Sequence, residues 1–526
     1  MLTFNPNPIT GQLPLIHVVD KDDQILLNSP DAQWYRILHF FPWEDYRELA
    51  VDYYNALYEF NLSRRKKPND GEPDNETETE AVQRLLFERA TINKELPILA
   101  QPDFKNIEVE TVNIDSIAPG VTPQRSSGKN PKCFFALFKS FIGVSLMGFP
   151  PEPETVHAFL TSNLSFARVC GFIPKSQDDP YWHRHVPSIR KLEQFDQIMT
   201  DYGLWSKNKY DQVRLNLESK IIEIENELVG DTTHYHAFSG FETVTYEDEK
   251  GKEKKKSQSK LTKNCRCQDP ATCPHPYQLA DDGAGTIVKA GNKYIWGHKA
   301  SVLGFPTQGI PLDAAAVNDA ASHDGATLYP HVELFFSHFP EIQDDIERIL
   351  YDSACDDAKL KARFMDDFEI ELKTSLNPRR RQTVTQGLPL GMAKLTPYGN
   401  LICNAGIQMD YKGIRYSSEK FIYQAPFDEG GVVVCNNCNL KEQCCPNAQK
   451  GRVVNIDFRL LPHINHDDPP MAKRFKAIMT RRPSVERMIK RLKCDMSDDR
   501  LKKRGNRSFQ AHLDKTMIAF HILLRS

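Results

Sequence analysis

Apolar positions along the chain fall in blocks, and their period changes from one block to the next. Between residues 31 and 61, Trp34, Tyr35, Leu38, Phe41, Trp43, Tyr46, Leu49 and Tyr53 recur at helical spacing, which predicts helix with an aromatic stripe turned to a core. Residues 64–80 are polar and carry Pro68, Gly71 and Pro73; they predict a linker. A dense apolar run from Phe134 to Met147 is broken by Pro150–Pro153. Thr155–Cys170 predicts helix again, and Pro187 followed by Ser188 predicts another helix with Ser188 as its N-cap. Short helices with tight breaks suit a helical DNA-binding domain and an ordinary helical bundle equally.

The texture then becomes mixed. Leu215–Gly230 begins as helix and ends as Glu-Leu-Val-Gly, which predicts a strand delivering Asp231 to its end. Residues 246–264 are Lys-rich and low in complexity, predicting a mobile loop. Lys293–Phe305 reads as strand, Tyr329–Phe339 as helix, Glu347–Tyr351 as a short strand ending in Asp352, and Asp356–Phe364 as helix. From about 371 to 466, turn residues separate short β-rich runs, and helix returns from Met471 onward. The implied organisation is a helical region at 1–125, a second helical domain at 126–215, and the first part of an α/β domain at 216–370 with a Lys/Cys-rich loop at 246–280. A β-rich Cys-containing insertion at 371–468 and closing helices at 469–526 complete it. No internal repeat is present.

Composition narrows the class. The chain has 526 residues, 40% hydrophobic and 26% charged, which excludes wholesale disorder and a disulfide miniprotein. No run of 18 uncharged apolar residues occurs, and the N-terminus has no basic segment leading into an apolar one, so a cytoplasmic protein is expected. The net charge of −3 hides an asymmetry: residues 471–526 hold 16 Lys+Arg against 5 Asp+Glu. A basic end on an acidic body points to a polyanion partner or to a solvated basic helix. The twelve cysteines, without an export signal, read as thiols or metal ligands rather than disulfides.

Three acids stand out. Asp231 and Asp352 each sit where a predicted strand gives way to a loop, which opens a carboxylate to solvent and substrate. Arg482, Glu486 and Lys493 are spaced by four and seven, so one helix would carry them on a single face. There a carboxylate could hold a hard cation while its basic neighbours hold phosphate oxygens; a salt-bridged surface helix is the plainer reading. Asp324, Asp356 and Asp357 rival Asp352, which is preferred because it ends a strand. Cys265, Cys267, Cys273 and His275 offer a Zn²⁺ inventory, as do Cys435, Cys438, Cys444 and Cys445 with Cys403 as a further partner. Thiolates suit Mg²⁺ poorly, so a role in structure is expected of them. His234 and His236 read as packed strand histidines on the face opposite Asp231, and Arg379–Arg381 as a solvated or backbone-contacting loop.

Arg482-x3-Glu486-x6-Lys493 resembles the Tyr-x2-Arg-x3-Glu-x6-Lys motif of the DDE transposases of bacterial insertion sequences, with Met479 in place of the tyrosine. Asp231-Thr-Thr resembles that family's first acid, Lys293–Lys299 its second strand, and Leu350-Tyr-Asp352 its second acid. Phe159–Phe172 and Val186–Ser188 resemble its N-terminal helical domain, and Arg504–Arg507 and Met517–Leu523 its closing segment. The resemblance spans about residues 130–520. It implies an RNase H-like core in which Asp231, Asp352 and Glu486 bind two Mg²⁺ (or Mn²⁺) ions, while Arg482, Lys493 and Lys299 touch DNA phosphates. The implied activity is end cleavage and strand transfer of a mobile element, by a homodimer on paired DNA ends, at the nucleoid. A repurposed DNA-binding copy without cleavage, and a zinc-dependent scaffold or redox protein, are the competing readings.

Overall fold

The computed structural model describes residues 32–39, 41–65, 132–172, 181–263, 273–289, 293–318, 320–377, 382–497 and 499–526. Most of the expected linker, Cys265, Cys267 and Arg379–Arg381 lie outside them. The chain divides into two units. Unit 1 comprises residues 1–225, 231–345 and 485–526, and unit 2 comprises 226–230 and 346–484.

Unit 1 opens with helices α1 (Ala32–His39) and α2 (Arg47–Arg65), then α3 (Phe134–Leu146), α4 (Pro153–Ser162), α5 (Leu164–Cys170), α6 (Ile189–Asp201) and α7 (Leu204–Glu218). Every residue of α3 is buried. Its Phe134, Phe138 and Phe141 stack among Tyr53, Phe195 and Trp205, so the aromatic stripe of the sequence is core. Gly143 is required there, because a Cβ would stand 2.8 Å from Leu38 and Phe166. Ser188 precedes α6 as expected, but its hydroxyl makes no cap hydrogen bond.

Strand β1 (Glu227–His236) runs through the unit boundary. In unit 1 it neighbours β7 (Lys293–Phe305), which pairs antiparallel with β6 (Gly285–Lys289) and β8 (Ile310–Val317). Between them, β2 (Phe241–Glu247) and β3 (Glu253–Ser259) form a hairpin, and β4 (Leu261–Thr262) pairs with β5 (Gln278–Leu279). The hairpin replaces the mobile loop expected at 246–264. Its turn is closed by the Asp248 carboxylate, which accepts the N–H groups of Lys250 and Lys252, with Gly251 at φ +69°. The lysine run hid the alternation because both hairpin faces are largely solvated. Helix α8 (Asp324–His338) and the single turn α9 (Pro340–Gln343) follow.

In unit 2, residues 227–229 of β1 pair in parallel with β9 (Arg348–Tyr351). Helix α10 (Ala358–Phe368) leads to β10 (Glu371–Thr374), parallel to β9. The β-rich stretch contains the hairpin β11 (Met392–Leu395) and β12 (Leu401–Cys403), and the antiparallel sheet β13 (Asp410–Arg415), β14 (Lys420–Gln424) and β15 (Val453–Asp457). A short helix α11 (Lys441–Cys444) lies between β14 and β15. Leu395, Leu401, Phe421, Tyr423 and Ile456 are fully buried and give this stretch a core of its own. Helix α12 (Lys473–Met479) leads to α13 (Ser484–Lys490), at whose start the chain returns to unit 1.

The last helix, α14 (Asn506–Arg525), is buried along most of its length in unit 1. His521 shows what that burial demands. Its Nε2 donates to the Pro311 carbonyl at 3.0 Å and its Nδ1 accepts from the Asn216 amide at 3.0 Å. A neutral ring satisfies both; a protonated one sets a donor against the amide. Burial, with Arg525 nearby, lowers its pKa to about 3. The unfolded chain therefore binds this proton near pH 6.5 and the folded chain does not. Stability falls as pH drops below about 6.5, by roughly 1.4 kcal/mol per unit from this group. Denaturant titration at pH 7 and pH 5 should show a loss of about 2 kcal/mol. The variant His521→Gln should reduce that slope, and an unchanged slope would refute the assignment.

Candidate functional site

Asp231 is the fifth residue of β1, not its last, because the strand continues to His236. Its Oδ1 accepts the N–H of Thr232 at 2.8 Å. The Thr232 hydroxyl donates to Oδ1 of Asp324 at 3.0 Å. Lys299, on β7 and 6% exposed, donates to the same Asp324 oxygen at 3.0 Å and to the Ser322 carbonyl at 2.5 Å. The ammonium expected at a DNA phosphate is thus committed within unit 1. Asp324 opens α8, whose N-cap His323 accepts the Gly325 N–H; the positive end of a helix favours a carboxylate there.

Glu486 is exposed on α13, whose buried Val485 and Met488 face inward. Gly304 of β7 makes room for this packing, since a Cβ there would lie 2.6 Å from the Met488 sulfur. Helix α13 does not continue regularly to Lys493. Residues 491–495 form a π-helical turn, so the regular spacing that would put Lys493 on one face with Glu486 does not hold. Its ammonium donates to the His234 carbonyl and lies 3.6 Å from Asp499. His236 lies 3.8 Å from the same carboxylate.

In unit 2, Asp352 follows β9, and its Oδ1 accepts the Ala354 N–H at 2.8 Å. Its rivals are occupied in other ways. Asp357 caps α10 through the N–H groups of Lys359 and Leu360. Asp356 pairs with Lys361 at 2.8 Å and accepts the Asn377 N–H. The register of β1 on β9 matches Val229 with Leu350. Asp231 stands two residues beyond Val229, and Asp352 two beyond Leu350. Sequence reasoning missed Glu227, which is 2% exposed and accepts from Arg348 and Arg481, each at 2.7 Å. This clamp fixes the turn carrying Arg482. The sequence held no signal for it, since Glu223 and Glu225 precede it and both of its arginine partners come from distant parts of the chain.

The cysteine clusters separate. Cys273 lies 3.1 Å from Nδ1 of His275, and their expected partners Cys265 and Cys267 are outside the described residues. Cys403, Cys435, Cys438, Cys444 and Cys445 all line one cavity of about 110 Å³. Burial and the neighbouring Cys435 and Cys444 push the Cys445 thiol up to about 11. Among the described residues, no group of three or more His, Cys, Asp or Glu side chains is arranged to hold a metal ion. The carboxylates are of the hard-oxygen class that divalent ions take.

Residues 402–523 match the family model described as a transposase DDE domain. The matched segment runs from β12 to the last turn of α14 and contains Arg482, Glu486 and Lys493. No curated protein matches the chain. A cryo-EM structure of a piggyBac transposase synaptic complex with hairpin DNA is similar at 10% identity and TM-score 0.31, covering 95% of this chain and 76% of that one. At that score the likeness does not establish a shared fold. No helix among the described residues is long and apolar enough to cross a membrane.

Proposed function

We propose that the chain is a DDE transposase of the bacterial insertion-sequence type, which binds the terminal inverted repeats of a mobile element, cuts its ends and joins them to target DNA. The observation that carries this reading is the transposase DDE match over residues 402–523, with Glu486 inside it. Strand pairing within each unit supports an RNase H-like core: in unit 1 β7 pairs antiparallel with β6 and β8, and in unit 2 β9 is flanked in parallel by residues 227–229 of β1 and by β10.

In this reading Asp231, Asp352 and Glu486 hold divalent ions, which when bound would activate the attacking oxygen and stabilise the leaving one. The protein's own contribution is positioning and charge. Arg482 and the exposed Arg487 and Lys490 of α13 present cations to the DNA backbone, contacts that place the duplex without reading its sequence. The helical segments of unit 1 would supply recognition of the repeats, and a homodimer would bring two ends together. The cysteine-lined cavity of unit 2 serves structure, and its thiols are not arranged as the expected zinc site.

The test is incubation of the purified chain with a supercoiled plasmid carrying both element ends, in Mg²⁺ or Mn²⁺. Cleavage at the ends, abolished by chelator, is the expected result. Specific binding without cleavage under any divalent ion would replace the enzyme with a DNA-binding protein.

A further inference from the structure

Unit 2 gathers five cysteines around one cavity of about 110 Å³, with Met392, Met409, Val434 and Leu440 also in its walls. That volume is too small for an ordinary organic cofactor. Within the cluster the Cys445 thiol, 6% exposed, is hydrogen-bonded to the thiols of Cys435 and Cys444. Thiols in contact are placed to bond to each other once an oxidant takes their hydrogens. We propose that Cys435 and Cys445 form a modification site, a dithiol that a peroxide converts to a disulfide and a thiol reductant restores. The reaction is independent of the DNA chemistry proposed above.

Cys444 is nearer to Cys445 in sequence but is the poorer partner. Adjacent Cα atoms stand about 3.8 Å apart, short of the roughly 4.4–6.8 Å that a disulfide spans. The Cys444 sulfur is also set against the chain at Gly391, where a Cβ would lie 2.4 Å from it. Cys438 is engaged elsewhere, its sulfur accepting the Leu440 N–H at 3.4 Å. Cys435 stands in a short 3-10 turn, Val434–Asn437, and Cys445 directly follows α11. Backbone hydrogen bonds hold both: the Cys435 carbonyl accepts the Cys438 N–H at 3.3 Å, and the Cys445 N–H donates to the Lys441 carbonyl at 2.8 Å. Cys435, the more exposed of the two, reacts first. Its thiolate attacks one oxygen of hydrogen peroxide and becomes a sulfenic acid, and the departing hydroxide takes up the thiol proton as water. The Cys445 sulfur then attacks the sulfenic sulfur. The S–S bond forms, the S–O bond breaks, and the oxygen leaves with the second thiol proton as water. Two thiols thus lose two protons and two electrons, and the peroxide is reduced to two waters. The new bond ties the turn to the end of α11 and restrains the unfolded chain.

The test is peptide mass mapping of the full-length chain, purified with a chelator so that no bound metal masks the thiols, then exposed to hydrogen peroxide and alkylated. The expected product joins the tryptic peptides on either side of Lys441 through Cys435 and Cys445, and dithiothreitol separates them again. The exposed Cys494 reports that the peroxide dose was sufficient. Cys435→Ser and Cys445→Ser should each abolish the cross-link, while Cys438→Ser and Cys444→Ser should keep it. If Cys494 is oxidised while Cys435 and Cys445 both remain open to alkylation in the wild-type chain, the proposal is overturned. A cross-link through Cys438 or Cys444 instead, or a Cys435 that stops at a sulfinic acid, overturns it as well.

Discussion

Replacing Glu486 by glutamine should lower end cleavage by about a thousandfold while leaving DNA binding intact. The size follows from the several kcal/mol of charge stabilisation that a bound ion supplies, at about 1.4 kcal/mol per factor of ten. The amide is nearly the same shape but carries no charge, so it is a poor ligand for a hard cation. The fold should not notice, because Glu486 is exposed while Val485 and Met488 hold α13 in place. Binding should stay unchanged or tighten slightly, since a negative charge beside phosphates is removed. The measurement pairs plasmid cleavage with gel-shift titration on the same DNA. Equal cleavage by variant and wild type would remove Glu486 from the mechanism.

Where local pattern decides structure, the sequence was readable. The apolar block at Phe134 became α3, the run Lys293–Phe305 became β7, and Arg348–Tyr351 became β9 with Asp352 directly after it. Strand β8 was not legible. Its sequence Ile-Pro-Leu-Asp-Ala-Ala-Ala-Val has no alternation because all eight residues are buried, and Pro and Asp are residue types that strands disfavour. The π-helical turn at 491–495 was equally hidden, since seven-residue spacing assumes a regular helix. The site was legible only as far as residue type goes. Asp231 could be picked out, but not its mid-strand place. Asp324 read as a rival acid because its partners Thr232 and Lys299 come from other parts of the chain. Long-range pairing of this kind leaves no periodic trace.

Lys209→Met should cost about 3–5 kcal/mol of stability, the largest effect of any single change considered. Lys209 is buried in α7 at 2.6 Å from Asp313 of β8 and 3.2 Å from Asp514 of α14. Burial alone would raise the Asp313 carboxyl, but Lys209 and His331 outweigh it and hold it well below the usual carboxylate range. Burial likewise works against the ammonium, yet the two acids hold its pKa well above the ordinary lysine value. His331 of α8 lies 3.3 Å from Asp313, and Ser206 and Gln510 donate to Asp514. One cation therefore ties two helices and a sheet edge of unit 1 together. Methionine fills the space but strands a buried negative charge. Thermal melts at pH 7 should move down by roughly 10 °C. The double variant Lys209→Met, Asp313→Asn should recover part of the loss, because the uncompensated charge goes with the aspartate. If the double variant is no more stable than the single one, packing around Lys209 matters more than its charge. If the single variant melts as wild type, the buried network contributes no net stability.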